Sequence, residues 1–253
     1  MKSILGLDIG SHSIKLIEIG QNGPSRVLLA AGNIPTPPKA LQSNLDADHQ
    51  AVAQAIRQLM KETGAKANSV ALALPESQVF TRVIEVPALS AHELASAISW
   101  EAEQYIPLPL DQVNIDYSIL REAKQTGTDK MEVLLVACPK TLLEKYLSII
   151  EMAELIPVAA ETEIIATCRA LVRSVATIKN AVLLVSLGAQ TTDLAILRNG
   201  VLAFTRSISA GGEALSRALV SGLDFNSNQA EEFKRTYGLE QDKLCLLYTS
   251  DAA

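Results

Sequence analysis

Two periods alternate along this chain, and the places where one gives way to the other mark its elements. Residues 4–10, 14–19 and 26–34 read as three consecutive strands, separated by Ser11-His12-Ser13 and by a turn around Asn22-Gly23. A proline-rich connection, TPPKALQSN, follows. Val52, Ile56, Leu59 and Met60 then recur at helical spacing, and Gly64 stops that helix. The run SVALALP is a buried strand. Three strands, a helix and a strand open an α/β layer.

From about Val79 the pattern changes. VFTRVIEVP is a strand leading into a helix with a capping box, Ser90 with Glu93, and a hydrophobic staple of Leu89 and Leu94. That helix ends at YIPLPL. VNIDYSIL and KMEVLLVAC are strands joined by a polar turn with Gly127, and KTLLEKYLSIIEMAE is an amphipathic helix. Residues 79–153 therefore read as a small inserted α+β subdomain. LIPVAAE returns to a strand, followed by the helix TEIIATCRALVRSV.

Residues 180–209 then repeat the opening device: strand, glycine-containing turn, strand, Asn199-Gly200 turn, strand. Two similar α/β halves are implied, each beginning with a meander. The expected divisions are 1–78 and 154–178 for the first lobe, 79–153 for the insertion and 179–243 for an incomplete second lobe. The last residues, 244–253, continue no period and read as a non-native tail.

Composition narrows the class. Aromatics make up 4% of the chain, so its core is aliphatic. Net charge is −6, and no basic stripe with interleaved aromatics appears, which argues against a nucleic-acid partner. The three cysteines, Cys138, Cys168 and Cys245, are widely spaced, as in a reducing cytosol. Apolar runs such as AVLLVSLGA are about half the length that crosses a bilayer, so no direct membrane insertion is expected.

The candidate chemistry lies in the two glycine turns. In LGLDIGSHSIKLIEIG, Asp8 can hold Mg²⁺ through water, and Gly10 lets the backbone turn sharply. The N–H groups of Gly10, Ser11, His12 and Ser13 can wrap an anion, and Lys15 can reach a terminal phosphate. A plain hairpin with a polar tip is the other reading, and neither GxxxxGK nor GxGxxG is present. The second copy, SLGAQTTD, supplies Gly188, Ala189, Gln190, Thr191, Thr192 and Asp193. SAGGEAL places Gly211 and Gly212 at a helix N-terminus, suited to a phosphate or to close packing. His12 reads as a solvated turn residue, His49 and His92 as surface residues, and Trp100 with Tyr105 as subdomain packing.

These motifs resemble the actin-like ATPase superfamily. Asp8, Gly10 and Lys15 fall on its first phosphate motif; Gly188, Thr191 and Asp193 fall on its second, D-x-G-x-x-T-x-D. Ser186 stands where that motif begins with aspartate, a departure that bears on hydrolysis. Glu161 falls on the acidic position of the connecting segment, where a carboxylate orients the attacking water; an acid favoured by a helix N-terminus is its alternative. AEEFKR resembles the E-x-x-K that contacts the nucleoside, giving Glu231 and Lys234, although a surface pair at i,i+3 has the same spacing.

GLDIGSHSIKLIEI, EAEQYIPLPLDQVNIDYSIL and GGEALSRAL with AEEFKR together resemble the PilM family of type IV pilus assembly proteins, relatives of the cell-division protein FtsA. The resemblance implies an actin-like (RNase H-like) two-lobed α/β fold whose inserted subdomain, of the SHS2 type, replaces actin's smaller one. It also implies ATP and Mg²⁺ as cofactors, with at most slow hydrolysis. The implied partners are the cytoplasmic N-terminal peptide of a PilN-like bitopic membrane protein and other pilus assembly proteins. The implied location is cytoplasmic, peripheral to the inner face of the inner membrane, in the machinery of twitching motility. An FtsA-like division filament protein and a small-molecule kinase of the superfamily are the competing readings.

Overall fold

Strand β1 (Ser3–Ile9) alternates: Leu5, Leu7 and Ile9 are buried, while Ile4, Gly6 and Asp8 line the other face. In this computed structural model residues 2–175 and 181–238 are described, and they divide into two units. The first holds the chain to Ser186 together with Asp193–Ser207; the second holds Leu187–Thr192 and the chain from Ile208.

Within the first unit, β2 (Ser13–Asn22) and β3 (Ser25–Pro35) complete an antiparallel meander with β1. Strands β4 (Ser69–Leu74) and β8 (Ile156–Thr162) extend it in parallel, giving the order β3-β2-β1-β4-β8. Helix α1 (Asp46–Thr63) covers one face with Val52, Ile56 and Leu59. It closes on Gly64 in the left-handed conformation, φ 71°, as its position after the last periodic residue foretells. His49 departs from expectation: it is buried, whereas His92 is exposed.

The inserted sheet has the order β5-β7-β6, formed by β5 (Phe80–Pro87), β6 (Val113–Arg121) and β7 (Lys130–Pro139). Helix α2 (Ala91–Glu103) opens with the expected capping box: Ser90 Oγ accepts the Glu93 N–H (3.3 Å), and Glu93 Oε2 accepts the Ser90 N–H (2.8 Å). The short helix α3 (Ala123–Thr126) and Gly127 form the polar connection between β6 and β7.

The near-continuous apolar run of β7 follows from burial on both faces. Met131, Val133 and Leu135 meet Leu94 and Ile98 of α2, while Leu134 faces Ile164 and Cys168. Helix α4 (Lys140–Met152), assigned to the insertion on sequence grounds, packs instead on the first core through Leu142, Tyr146, Ile149 and Ile150. Its apolar stripe packs on α1 and the five-stranded sheet.

Helix α5 (Glu163–Val175) packs through Ile164 and Cys168 on the second meander, β9 (Ala181–Leu187), β10 (Thr192–Arg198) and β11 (Val201–Ile208). That sheet repeats the order of the first meander, β11-β10-β9. In the second unit, α6 (Gly212–Leu223) is followed by α7 (Ser227–Tyr237). The proposed tail, 244–253, lies outside the described residues. Among those residues no helix is long and apolar enough to cross a membrane.

Candidate functional site

The two glycine turns have the same construction. Gly10 donates its N–H to the Ser13 carbonyl (3.2 Å), and Gly188 donates to the Thr191 carbonyl (2.9 Å). A Cβ at either glycine would stand 3.0 Å from that same carbonyl oxygen, so neither turn has room for a side chain. The Gly10 amide, expected with those of Ser11, His12 and Ser13 to face an anion, is thus engaged inside its own turn, as is the amide of Gly188. Ser11 and His12 remain exposed at the tip of the first.

Thr36, unremarked in the sequence, buttresses that turn: its hydroxyl donates to the Gly10 carbonyl (2.7 Å) and its N–H to the His12 carbonyl (3.0 Å). Thr192 plays a comparable part in the second unit, its hydroxyl donating to the Ala210 carbonyl (2.6 Å).

Pairing register explains where Lys15 points. It stands opposite Asp8 across the β1–β2 hairpin, and its Nζ donates to Asp8 Oδ2 at 2.8 Å. Asp8 is in turn opposite Ala73, and Ala73 opposite Glu161, so Lys15, Asp8 and Glu161 lie in one row across four strands. The row borders a groove of about 360 Å³ on the sheet face away from α1, floored by Ile4, Gly6, Ile17 and Ala71. Glu161 is tied there to Arg169 by an ion pair.

The acid that does stand among the other carboxylates is Glu163, two residues further on. Burial, then the fields of Asp8 and Asp193, push its carboxyl up to about 8, with Lys15 offsetting part of the effect. Burial likewise raises Glu76, and Asp193 adds to that shift. Glu76 and Asp193 are 5% and 3% exposed. Asp8 Oδ1 and Asp193 Oδ1 are buried and find no hydrogen-bond partner among the described residues. Glu163 thus feels three acids, Asp8, Asp193 and Glu76, with Lys15 the opposing cation, although no three acids stand close enough to form a metal-holding group among the described residues. Sequence reasoning missed Glu76 and Glu163; burial of an acid beside a turn leaves no periodic signal.

In the second unit, Gly212 donates its N–H to the Gly188 carbonyl, Glu213 to the Ala189 carbonyl and Ala214 to the Gly211 carbonyl, each at 2.9 Å. The first amides of α6 are thereby used internally, so Gly211 and Gly212 serve close packing rather than an open anion site. A Cβ at Gly211 would stand 2.5 Å from the Ala189 carbonyl oxygen. Glu231 and Lys234 pair at 2.5 Å, and Lys234 also donates to the Gly212 carbonyl (3.1 Å) and Ser216 Oγ (2.9 Å). The Lys234 hydrogen bond draws the Glu231 carboxyl down to about 2. The pair thus fastens α7 to the first turn of α6, beneath Ala189.

Comparison with known proteins bears on the family and the fold. The family model described as type IV pilus assembly protein PilM matches residues 6–247. A chain of the PilM-PilN type IV pilus biogenesis complex superposes with a TM-score of 0.83 at 30% identity, covering 97% of this chain and 73% of that one. The ethanolamine utilization protein EutJ from Carboxydothermus hydrogenoformans shares the fold at 17% identity and a TM-score of 0.55, with 98% and 66% of the two chains covered. The cell division protein FtsA of Bacillus subtilis (strain 168) is 23% identical over 262 residues. The match takes in 92% of this chain, which spans 58% of the length of FtsA. The fold is the actin-like α/β fold.

Proposed function

The chain belongs to the type IV pilus assembly protein PilM family, and we propose that it acts as an ATP-binding scaffold on the cytoplasmic face of the inner membrane, taking the N-terminal peptide of a PilN-like membrane protein. The likeness to a chain of the PilM-PilN complex supports the partner. The nucleotide is supported chiefly by the surplus of carboxylate around Asp8, beside a turn that is built twice. Hard oxygen donors with unpaired lone pairs suit Mg²⁺, and Asp8 and Asp193 are the residues that would hold it. The ion would neutralise both these acids and the phosphates.

Glu163, rather than the Arg169-bound Glu161, is the acid we assign to the attacking water. Its carboxyl, held up to about 8 in the absence of a cation, becomes available as a base only when a bound cation lowers it, and slow turnover rests instead on Ser186, which stands where the superfamily's second phosphate motif has an aspartate. Lys15 is the phosphate-facing cation; nucleotide would draw it from Asp8.

Titration calorimetry with Mg·ATP on the whole protein and on Lys15→Ala tests this reading. The variant should bind at least tenfold more weakly yet stay folded, melting within a few degrees of the parent, because a half-exposed ion pair contributes about 0–1 kcal/mol. Unchanged affinity would remove Lys15 from the site. Rapid multiple-turnover hydrolysis would overturn the scaffold.

A further inference from the structure

Trp100, the single tryptophan of the chain, is 76% exposed. The core residues of α2 are Leu94, Ile98 and Ala102, and the indole stands outside that stripe. It is therefore not the packing residue that its spacing from Tyr105 suggested. Ser96, Glu103 and Gln104, three or four residues away, share its side of the helix and are exposed too. Leu108, just beyond the helix, adds a second exposed apolar group, 41% exposed.

Along the sequence the indole is flanked by acids, one of which, Glu85, is paired with Lys130 at 3.7 Å. Between Arg82 and Arg121 there is no lysine or arginine, whereas 22 of them in 253 residues would place about three in such a stretch. The same stretch holds Glu85, Glu93, Glu101, Glu103, Asp111 and Asp116. The bordering cations are committed elsewhere: Arg82 lies over the Tyr105 ring at 4.5 Å, Arg121 pairs with Glu132, and Lys140 donates to the Asp111 carbonyl at 2.7 Å. Among the described residues Glu101 and Glu103 have no cationic partner.

We propose that the outer face of α2 docks a cationic segment of a partner protein, with an arginine or lysine seated on the Trp100 ring. Glu103, one turn away, takes its charge, and Leu108 receives a neighbouring aliphatic side chain. An aromatic face flanked by carboxylates attracts a cation through the ring quadrupole and through direct ion pairing. An exposed tryptophan is also the side chain best suited to anchor an interface. Anionic lipid and nucleic acid are repelled by the same charge. None of the nucleotide-site residues is involved.

The indole reports its own occupancy. A twelve-residue peptide of alternating arginine and leucine, titrated into the whole protein, should shift Trp100 emission saturably at micromolar concentrations, and more weakly at 200 mM than at 50 mM salt. With a labelled peptide and anisotropy as readout, Trp100→Ala and Glu103→Lys should each weaken binding at least tenfold, with melting temperatures unchanged. The proposal is overturned if both variants bind as the parent does, or if a peptide with glutamate in place of arginine binds equally well. It is also overturned if only anionic vesicles bind, or if the face instead joins two copies of the chain, seen as a sedimentation shift that Trp100→Ala abolishes.

Discussion

Replacing Glu163 by glutamine removes an acid that the folded chain holds against its ordinary behaviour. A carboxyl raised from 4.5 to about 8 binds a proton in the native state that the unfolded state has released. Native protein therefore carries the extra proton between those two values, so stability falls as pH rises through that window and levels off above it. At about 1.36 kcal/mol per unit, the whole shift corresponds to roughly 5 kcal/mol. Glu163 is partly exposed and shares its field with three other acids, so about half of that, roughly 2 kcal/mol, is the expected cost at pH 8. In a chain of this length each kcal/mol moves the melting temperature by about 2–4 °C.

Melting curves of parent and Glu163→Gln, followed by circular dichroism from pH 5.5 to 8, should diverge with rising pH. The gap should be small at pH 5.5 and reach about 4–8 °C at pH 8, with the variant the more stable. Glu76, raised in the same sense, leaves a shallower slope in the variant. Glu231, drawn down to about 2, acts in the opposite sense, but its window closes below pH 4.5. Parallel curves, or a parent more stable at pH 8 than at pH 5.5, would refute the reasoning.

Three further outcomes follow from local geometry. Gly211→Ala must displace backbone at Ala189 and Gly188, and should destabilise the second unit by about 1–3 kcal/mol; Gly222→Ala, facing open space within the same helix, should stabilise it by up to about 1 kcal/mol. Hydrogen exchange across residues 187–192 and 211–223 distinguishes the two, and equal protection in both variants would deny the close approach. Ser90→Ala removes the Oγ that caps α2 and should cost about 1 kcal/mol in denaturant unfolding, with faster exchange confined to residues 91–95.

Elements and turns could be read in the sequence because their causes are local. Gly64, the Ser90–Glu93 box and the glycine of each meander act within a few residues of themselves. Which core an amphipathic helix meets is not local: the order of elements puts α4 with the insertion, whereas its Leu142 and Ile149 belong to the first core. The same limit applies to the site. Glu161 and Glu163 share the acidic character that the connecting segment requires, and nothing in their spacing separates them. Arg169, eight residues on, neutralises the first. The second, at the start of α5, is left beside Asp8 and Asp193. Trp100 was misplaced for a related reason: a spacing of five residues tells nothing of which side of the helix its neighbours leave bare.

The two turns also differ in a way that bears on turnover. Equal turn geometry aligns Gly10 with Gly188 and Ser13 with Thr191, which sets Ser186 in the place of Asp8 and Asp193 in the place of Lys15. The serine removes the first of the motif's two acids and leaves Asp193. The second copy keeps one carboxylate but carries it on the opposite strand, and exchanges a lysine for it. Both aspartates leave Oδ1 without a hydrogen-bond partner among the described residues, but Asp8 is balanced through Oδ2 by Lys15 at 2.8 Å, whereas Asp193 has no cationic partner there. That unbalanced charge is among the fields that keep Glu163 protonated. An arrangement of this kind attracts a cation bearing phosphates strongly, because the cation relieves repulsion among four acids. It also withholds the base that hydrolysis needs until the cation has lowered Glu163 again.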